Sequence, residues 1–201
     1  YLTNDQCQRL LSTAINKSYN MISVDGDCST NDLVSFQSSG SIHLKLSEDD
    51  LIHVEETLTD LAIDLAKQIV CDGEGAHHFV EVKVTGAVSV LDAKKVGKLV
   101  INSLLVKTAI AGEDPNWGRI MMAIGKDPSI IINQSKISIT LNDNVLFFKG
   151  IPENINRDVL ADSMANSDTK ILINIGDGDH SATVWGCDLT HDYIKINTAY
   201  N

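Results

Sequence analysis

Over residues 3–19 apolar side chains recur every three to four positions, with Cys7, Leu10, Leu11, Ala14 and Ile15 on one face, which predicts an amphipathic helix. Thr3, followed three residues later by Gln6, is the pairing that caps a helix reciprocally. Met21, Ile22 and Val24 then lead as a buried strand into a polar turn over 25–32, where Gly26 suits a positive φ and Asp, Ser, Thr and Asn can bond their own backbone. Leu33-Val34-Ser35-Phe36 fits a helix or a short strand, and 38–41 reads as loop. Ser47 and Asp50 introduce a long helix to Val70, with Leu51, Val54, Leu58, Leu61, Ala62, Leu65 and Ile69 at helical spacing. Two glycines at 73 and 75 end it. Residues 79–88 alternate with period two, Val80, Val82 and Val84 facing one way and Glu81, Lys83 and Thr85 the other, which predicts a strand. Asp92 is placed to cap a helix running to Ile110, with Val96, Leu99, Val100 and Leu104 inward.

An irregular link over 111–119 leads into a short helix through Ile124. The remainder is richer in strands. Residues 129–133 and 136–141 read as strands, and a turn at Asn142-Asp143 followed by 145–148 predicts a hairpin. A short helix is expected over 155–165, anchored by Leu160 and Met164; 171–175 and 182–185 flank a Gly-Asp-Gly-Asp turn in hairpin fashion, and 193–196 reads as a last strand. These elements predict an α/β (α+β layered) fold with mixed and antiparallel sheets packed with helices. We expect one unit over 1–201, with a helix-rich part over about 1–125 and a strand-rich part over about 126–201.

Composition narrows the partners more than the fold. The 201 residues carry a formal charge of −11 with no cluster of Lys or Arg, which argues against binding nucleic acid by phosphate neutralisation. A cationic or zwitterionic small molecule suits such a surface better. No apolar run reaches the roughly 18–20 residues of a membrane helix, and the start lacks a signal peptide's basic flank and apolar core. Cys7, Cys28, Cys71 and Cys187 are far apart and without C-x-x-C spacing, so they read as free thiols in a reducing cytosol rather than two disulfides. No initiator Met is present, and the chain is expected to be a fragment, a trimmed chain or a cleavage product.

Glu74 is the most economical site candidate: a carboxylate between two residues without side chains, at a helix-to-strand break, can be approached closely by an ammonium group. An ordinary acidic turn would have the same residues. The run from Glu113 to Arg119 offers an Arg to clamp a carboxylate, or else a structural turn in which Asp114 or Asn116 caps the next helix and Trp117 fills the core. His77 and His78 are adjacent, so on a strand they would point to opposite faces and could not serve one ion. The calcium-loop template fails at 25–36, with Thr30 where Gly is required and Phe36 where Glu is required. Asp177, Asp179 and His180 are explained by a turn without a metal. No G-x-S-x-G elbow, P-loop, G-x-G-x-x-G or H-E-x-x-H motif is present.

Long motifs carry a family resemblance. "MISVDGDCSTND" resembles "ITVDGDTSTND", with Cys28 in place of Thr; "DGEGAHHFVEVKVTGA" resembles "DGEGATKLVEVRVTGA"; "VKTAIAGEDPNWGRIMMAIG" resembles "VKTAIFGGDPNWGRILAAVG"; and "VWGCDLTHDYIKINTAY" resembles "AWGCDLTYDYVRINADY". In this order they cover nearly the whole chain and resemble the ornithine acetyltransferase family, the bifunctional glutamate N-acetyltransferases of arginine biosynthesis. The resemblance implies the family's architecture with an N-terminal nucleophile, and a precursor that cleaves itself before a Thr into an α and a β chain. This sequence is similar to the β chain. The family's cleavage region lies just before the position of Tyr1, so the resemblance places the nucleophilic Thr upstream, with no catalytic residue in 1–201.

The implied reaction is ping-pong transfer of acetyl from N-acetylornithine to glutamate, with an oxyanion hole from a Thr-Gly pair on the α chain. The resemblance assigns substrate binding to Glu74 and Asn197 and implies no cofactor and no metal, and it leaves open whether acetyl-CoA is also a substrate. It also implies a cytoplasmic heterotetramer of two α and two β chains. His77-His78 replaces the common Thr-Lys, which bears on substrate preference, and the family's last contact, a Ser or Thr, falls one residue after Asn201. Residues 25–32 and 114–119 are expected to be scaffold. The competing classes are an autoproteolytic amide or peptide hydrolase of related fold and a pure binding subunit.

Overall fold

The computed structural model describes residues 1–165 and 168–199, so Asn201 lies outside the described residues. Contacts divide the chain into two compact units, Tyr1–Ile22 with Asp27–Ile69, and Ser23–Gly26 with Val70–Asn201.

In the first unit, α1 (Asn4–Lys17) begins at the expected capping box: Gln6 N–H donates to Thr3 Oγ1, and the Gln6 side chain accepts from Thr3 N–H. Leu10 and Ala14 are its buried residues, and a 3-10 turn, Tyr19–Met21, follows. Residues 33–36 form neither helix nor strand, and Leu33 is exposed. Helix α2 (Glu48–Cys71) starts at a second reciprocal cap, Asp50 N–H to Ser47 Oγ at 3.2 Å and Ser47 N–H to Asp50 Oδ2 at 2.9 Å. The Ser47 bonds hold the Asp50 carboxyl below its ordinary value. The predicted apolar face of α2 divides, with Leu51 and Ala62 buried and Leu61, Leu65 and Ile69 exposed.

The second unit is built on β2 (Phe79–Ala87), where Val80, Val82 and Val84 are fully buried, as the alternation predicts. The seven-stranded sheet adds β1 (Ile22–Ser23), β3 (Ser138–Leu141), β4 (Asn144–Phe148), β5 (Ile151–Pro152), β6 (Asp168–Asn174) and β7 (His180–Cys187), in the order β1-β7-β2-β6-β3-β4-β5. β2 runs parallel to β6 and antiparallel to β7. The sheet is therefore mixed, as expected. The predicted hairpin at Asn142-Asp143 is present as β3 and β4. β6 and β7 do not form the predicted hairpin, because β2 lies between them and the Gly-Asp-Gly-Asp segment must cross its end. There Asp177 and Gly178 donate to Gly86 O at 2.8 and 2.9 Å.

The expected helix to Ile110 is two helices, α3 (Val90–Ile101) and α4 (Leu104–Ala111), each with a Ser cap: Ser89 accepts from Asp92 N–H and Ser103 from Val106 N–H. Asp92 therefore receives a cap instead of providing one. Helix α3 packs across β7 and β2, and its close approach depends on Gly97, where a Cβ would come within 2.8 Å of Val184 Cγ2. Helices α5 (Trp117–Ile124) and α6 (Arg157–Met164) match the expected short helices. Residues 129–133 form no strand. The predicted last strand is instead α7 (His191–Thr198), capped by Thr190, which accepts from Asp192 N–H. Among the described residues no helix is long and apolar enough to cross a membrane.

Candidate functional site

The turn that joins α2 to β2 lies along the segment that joins β7 to α7, and this pairing builds the site. Gly75 has φ +66° and sits so close to the start of α7 that a Cβ would be 2.4 Å from Tyr193 N. A side chain there meets backbone that no rotamer change relieves. Thr190 Oγ1 donates to Gly75 O at 2.6 Å while capping α7. Sequence and local structure thus agree on why Gly follows Glu74.

One helical turn further along, Asn197 Nδ2 donates to Glu74 Oε2 at 2.7 Å and to Tyr193 O at 3.0 Å. The two residues assigned to substrate binding, 123 positions apart, are hydrogen-bonded to one another. Helical geometry makes this reach feasible, since Tyr193 and Asn197 are i and i+4 on the same face. Both Glu74 and Asn197 are exposed. Tyr193 OH donates to Asp25 Oδ2 at 3.0 Å, tying the polar turn after β1 to the same helix.

The two imidazoles diverge. His78 Nδ1–H donates to Asp188 Oδ2 at 2.8 Å, whereas His77 Nε2 faces Asp192 Oδ2 at 3.4 Å on the surface. The rings meet different carboxylates, and both residues precede β2, which begins at Phe79, so they do not take the strand positions expected of them. Among the described residues no group of three or more His, Cys, Asp or Glu is placed to hold a metal. Asp177 bonds Lys136 Nζ at 2.7 Å. Residues 114–119 take the structural form: Asn116 caps α5, accepting from Arg119 N–H at 3.2 Å, and Trp117 stacks on Phe147 with centroids 5.1 Å apart. Arg119 Nη1 donates to Leu105 O at 2.8 Å and to Thr108 Oγ1 at 3.3 Å, which ties the start of α5 to α4.

Two buried ionisable residues here were not singled out from sequence. Asp188, 3 % exposed, follows β7; its Oδ1 accepts from His77 N–H at 2.9 Å and His78 N–H at 3.1 Å. Lys107, 2 % exposed, donates through Nζ to Val24 O at 2.6 Å and to Cys187 O, with Cys187 Sγ at 3.8 Å. Burial pushes the Lys107 ammonium below its ordinary value, against the opposing pull of Cys187, Asp188 and Asp25. Burial likewise raises the Cys187 thiol, and nearby Lys107 offsets part of the rise. Both residues lie inside the quoted motifs, and a charge set in an apolar run was the available signal. Beside this network a cleft of about 650 Å³ is lined by His77, Thr108, Gly112, Leu189, Thr190 and Ile194. It leaves the Glu74–Asn197 pair on open surface.

The family model described as "ArgJ family" matches residues 1–201. The chain is 45 % identical over 192 residues to arginine biosynthesis bifunctional protein ArgJ 2 of Clostridium acetobutylicum, covering 95 % of this chain and 48 % of that protein. It is 39 % identical over 209 residues to arginine biosynthesis bifunctional protein ArgJ of Bacillus licheniformis, covering 100 % and 51 %. The chain therefore spans about half the length of the curated relatives it matches. A crystal structure of arginine biosynthesis bifunctional protein ArgJ from Bacillus halodurans superposes with a TM-score of 0.94 at 39 % identity, covering 99 % of this chain and 95 % of that one.

Proposed function

The chain belongs to the ArgJ family, and on that premise we propose that it is the β portion of an acetyltransferase that moves acetyl from N-acetylornithine to glutamate in arginine biosynthesis. The observation that carries the reading is the Glu74–Asn197 pair: a carboxylate held at 2.7 Å by an amide, displayed on a turn with glycine on either side. Such a carboxylate receives the free δ-ammonium of N-acetylornithine through a charge-assisted bond. Asn197 holds Glu74 in place for that contact, which lowers the ordering cost of binding.

In this reading the nucleophile is a Thr upstream of Tyr1, and no residue of 1–201 forms the covalent bond. The Thr oxygen attacks the acetyl carbonyl, the C–N bond breaks, and ornithine leaves with the proton that the Thr hydroxyl gave up. The amine of glutamate then attacks the acetyl-Thr ester, giving N-acetylglutamate and returning the proton to Thr. A Thr-Gly pair of the α chain stabilises the tetrahedral oxyanion. An exposed carboxylate is screened by water, so the site needs a second wall to bind a small zwitterion firmly. The α chain supplies that wall in a heterotetramer of two α and two β chains in the cytoplasm. No cofactor or metal takes part in this reading, and His77-His78 adjusts substrate preference beside Glu74.

The relatives are named for biosynthesis, and the hydrolase alternative is set aside. The test is the enzyme expressed from its complete gene, given N-acetylornithine and glutamate. Ornithine and N-acetylglutamate in equal amounts are expected; release of acetate with no N-acetylglutamate would reverse the assignment in favour of hydrolysis.

A further inference from the structure

The hydrogen bonds that hold the Glu74 turn differ in burial. Those from Thr190 and Asn197 come from the cap and the exposed face of α7. Asp188 is different: its side chain is fully buried, and it meets the chain where the turn enters β2. The β2–β7 ladder ends at Phe79 opposite Cys187. Asp188 continues that pairing by one residue with its backbone, donating to His78 O at 3.2 Å. Its carboxylate then takes the N–H groups of both His77 and His78, and Oδ2 takes the imidazole N–H of His78. Two successive N–H groups aimed at one buried carboxylate fix the peptide planes between them, because rotating either would strand a charge away from water.

The segment that starts at Asp188 also carries Thr190, Tyr193 and Asn197. Residues 188–197 thus lie along 74–78 and hold the turn at both ends, at Asn197 on Glu74 and at Asp188 on His77 and His78. We propose that Asp188 is a positioning residue for Glu74, setting the donor discrimination of the site by fixing the backbone three residues downstream of the carboxylate. The proposal rests on the acetyltransferase reading. A role in global folding alone would affect every substrate alike, whereas a role in aiming Glu74 affects only a donor whose ammonium the carboxylate meets.

Asp188→Asn in the enzyme from the complete gene separates the two. The amide oxygen can still accept from both N–H groups, but its neutral bonds have about half the strength of charge-assisted ones. The substrates are N-acetylornithine and N-acetylnorvaline, which lacks the terminal ammonium. We expect the ratio of their kcat/KM values to fall about tenfold, with the loss on the N-acetylornithine side. Faster amide exchange in residues 74–78 should accompany it. A ratio equal to wild type, with both rates lowered together or neither changed, overturns the proposal while leaving the transferase intact. Wild-type enzyme that transfers no acetyl from N-acetylornithine overturns the underlying function and this proposal with it. Should Asp188→Asn not fold, His78→Ala removes one donor to the same carboxylate, and the ratio should fall about threefold; an unchanged ratio there has the same adverse meaning.

Discussion

Asn197 donates its side-chain amide to the carboxylate of Glu74 at 2.7 Å, and the two residues come from opposite ends of the second unit's chain. Neither is buried, so the bond adds little to stability and its value lies in orientation. Asn197→Ala should therefore raise KM for N-acetylornithine about fivefold while kcat changes less than about twofold. Steady-state kinetics with unchanged thermal unfolding would check this. A fall in unfolding temperature with no kinetic change would make the bond structural.

Gly75 tests the close approach that brings the pair together. Gly75→Ala adds a Cβ at φ +66°, 2.4 Å from Tyr193 N. Strain and clash together should cost about 3 kcal/mol. That corresponds to a drop of about 8 °C in Tm. Gly40→Ala is the control, since its φ is +63° but nothing lies within 4 Å, and it should lower Tm by only about 3 °C. Equal drops would mean that backbone conformation alone matters at both sites.

Cys187 should be the slowest thiol and should leave a mark on alkaline stability. It is buried, whereas Cys28 and Cys71 are exposed, so a disulfide reagent should modify those two in the native protein and reach Cys187 only on unfolding. Burial holds its folded pKa above the ordinary 9.0. Between 9.0 and that higher value the unfolded chain has lost a proton that the folded chain keeps, so ionisation favours unfolding. Urea unfolding should show wild type losing stability relative to Cys187→Ala as pH rises above 9.0. A difference that is flat or grows would contradict the direction.

Much of the fold was legible because its signals are local. The Thr3–Gln6 box, the start of α2 at Ser47 and Asp50, and the Val80-Val82-Val84 face of β2 follow from neighbours within a few residues. Helix α7 resembles a strand in sequence because Ile194, Lys195 and Ile196 alternate apolar and polar, a run too short to distinguish from one helical turn; the Thr190 cap decides it. The break at Asn102-Ser103 is hidden within apolar residues that suit either one helix or two. The expected β6–β7 hairpin is absent because turn composition cannot reveal a strand inserted between them from much earlier in the chain. Glu74 stood out by its glycines, and Asn197 only through family resemblance. Asp188 and Lys107 acquire meaning from partners 80 or more residues away, which periodicity does not encode.

The central claim is that Glu74 reads the ammonium group of the acetyl donor. Its most direct test is kcat/KM for N-acetylornithine and for N-acetylnorvaline with wild type and Glu74→Gln, both expressed from the complete gene. The substitution keeps shape and hydrogen bonding to Asn197 but removes the charge. N-acetylornithine should lose about a hundredfold and N-acetylnorvaline less than about threefold. Equal losses for the two donors, or no loss for either, would contradict the account.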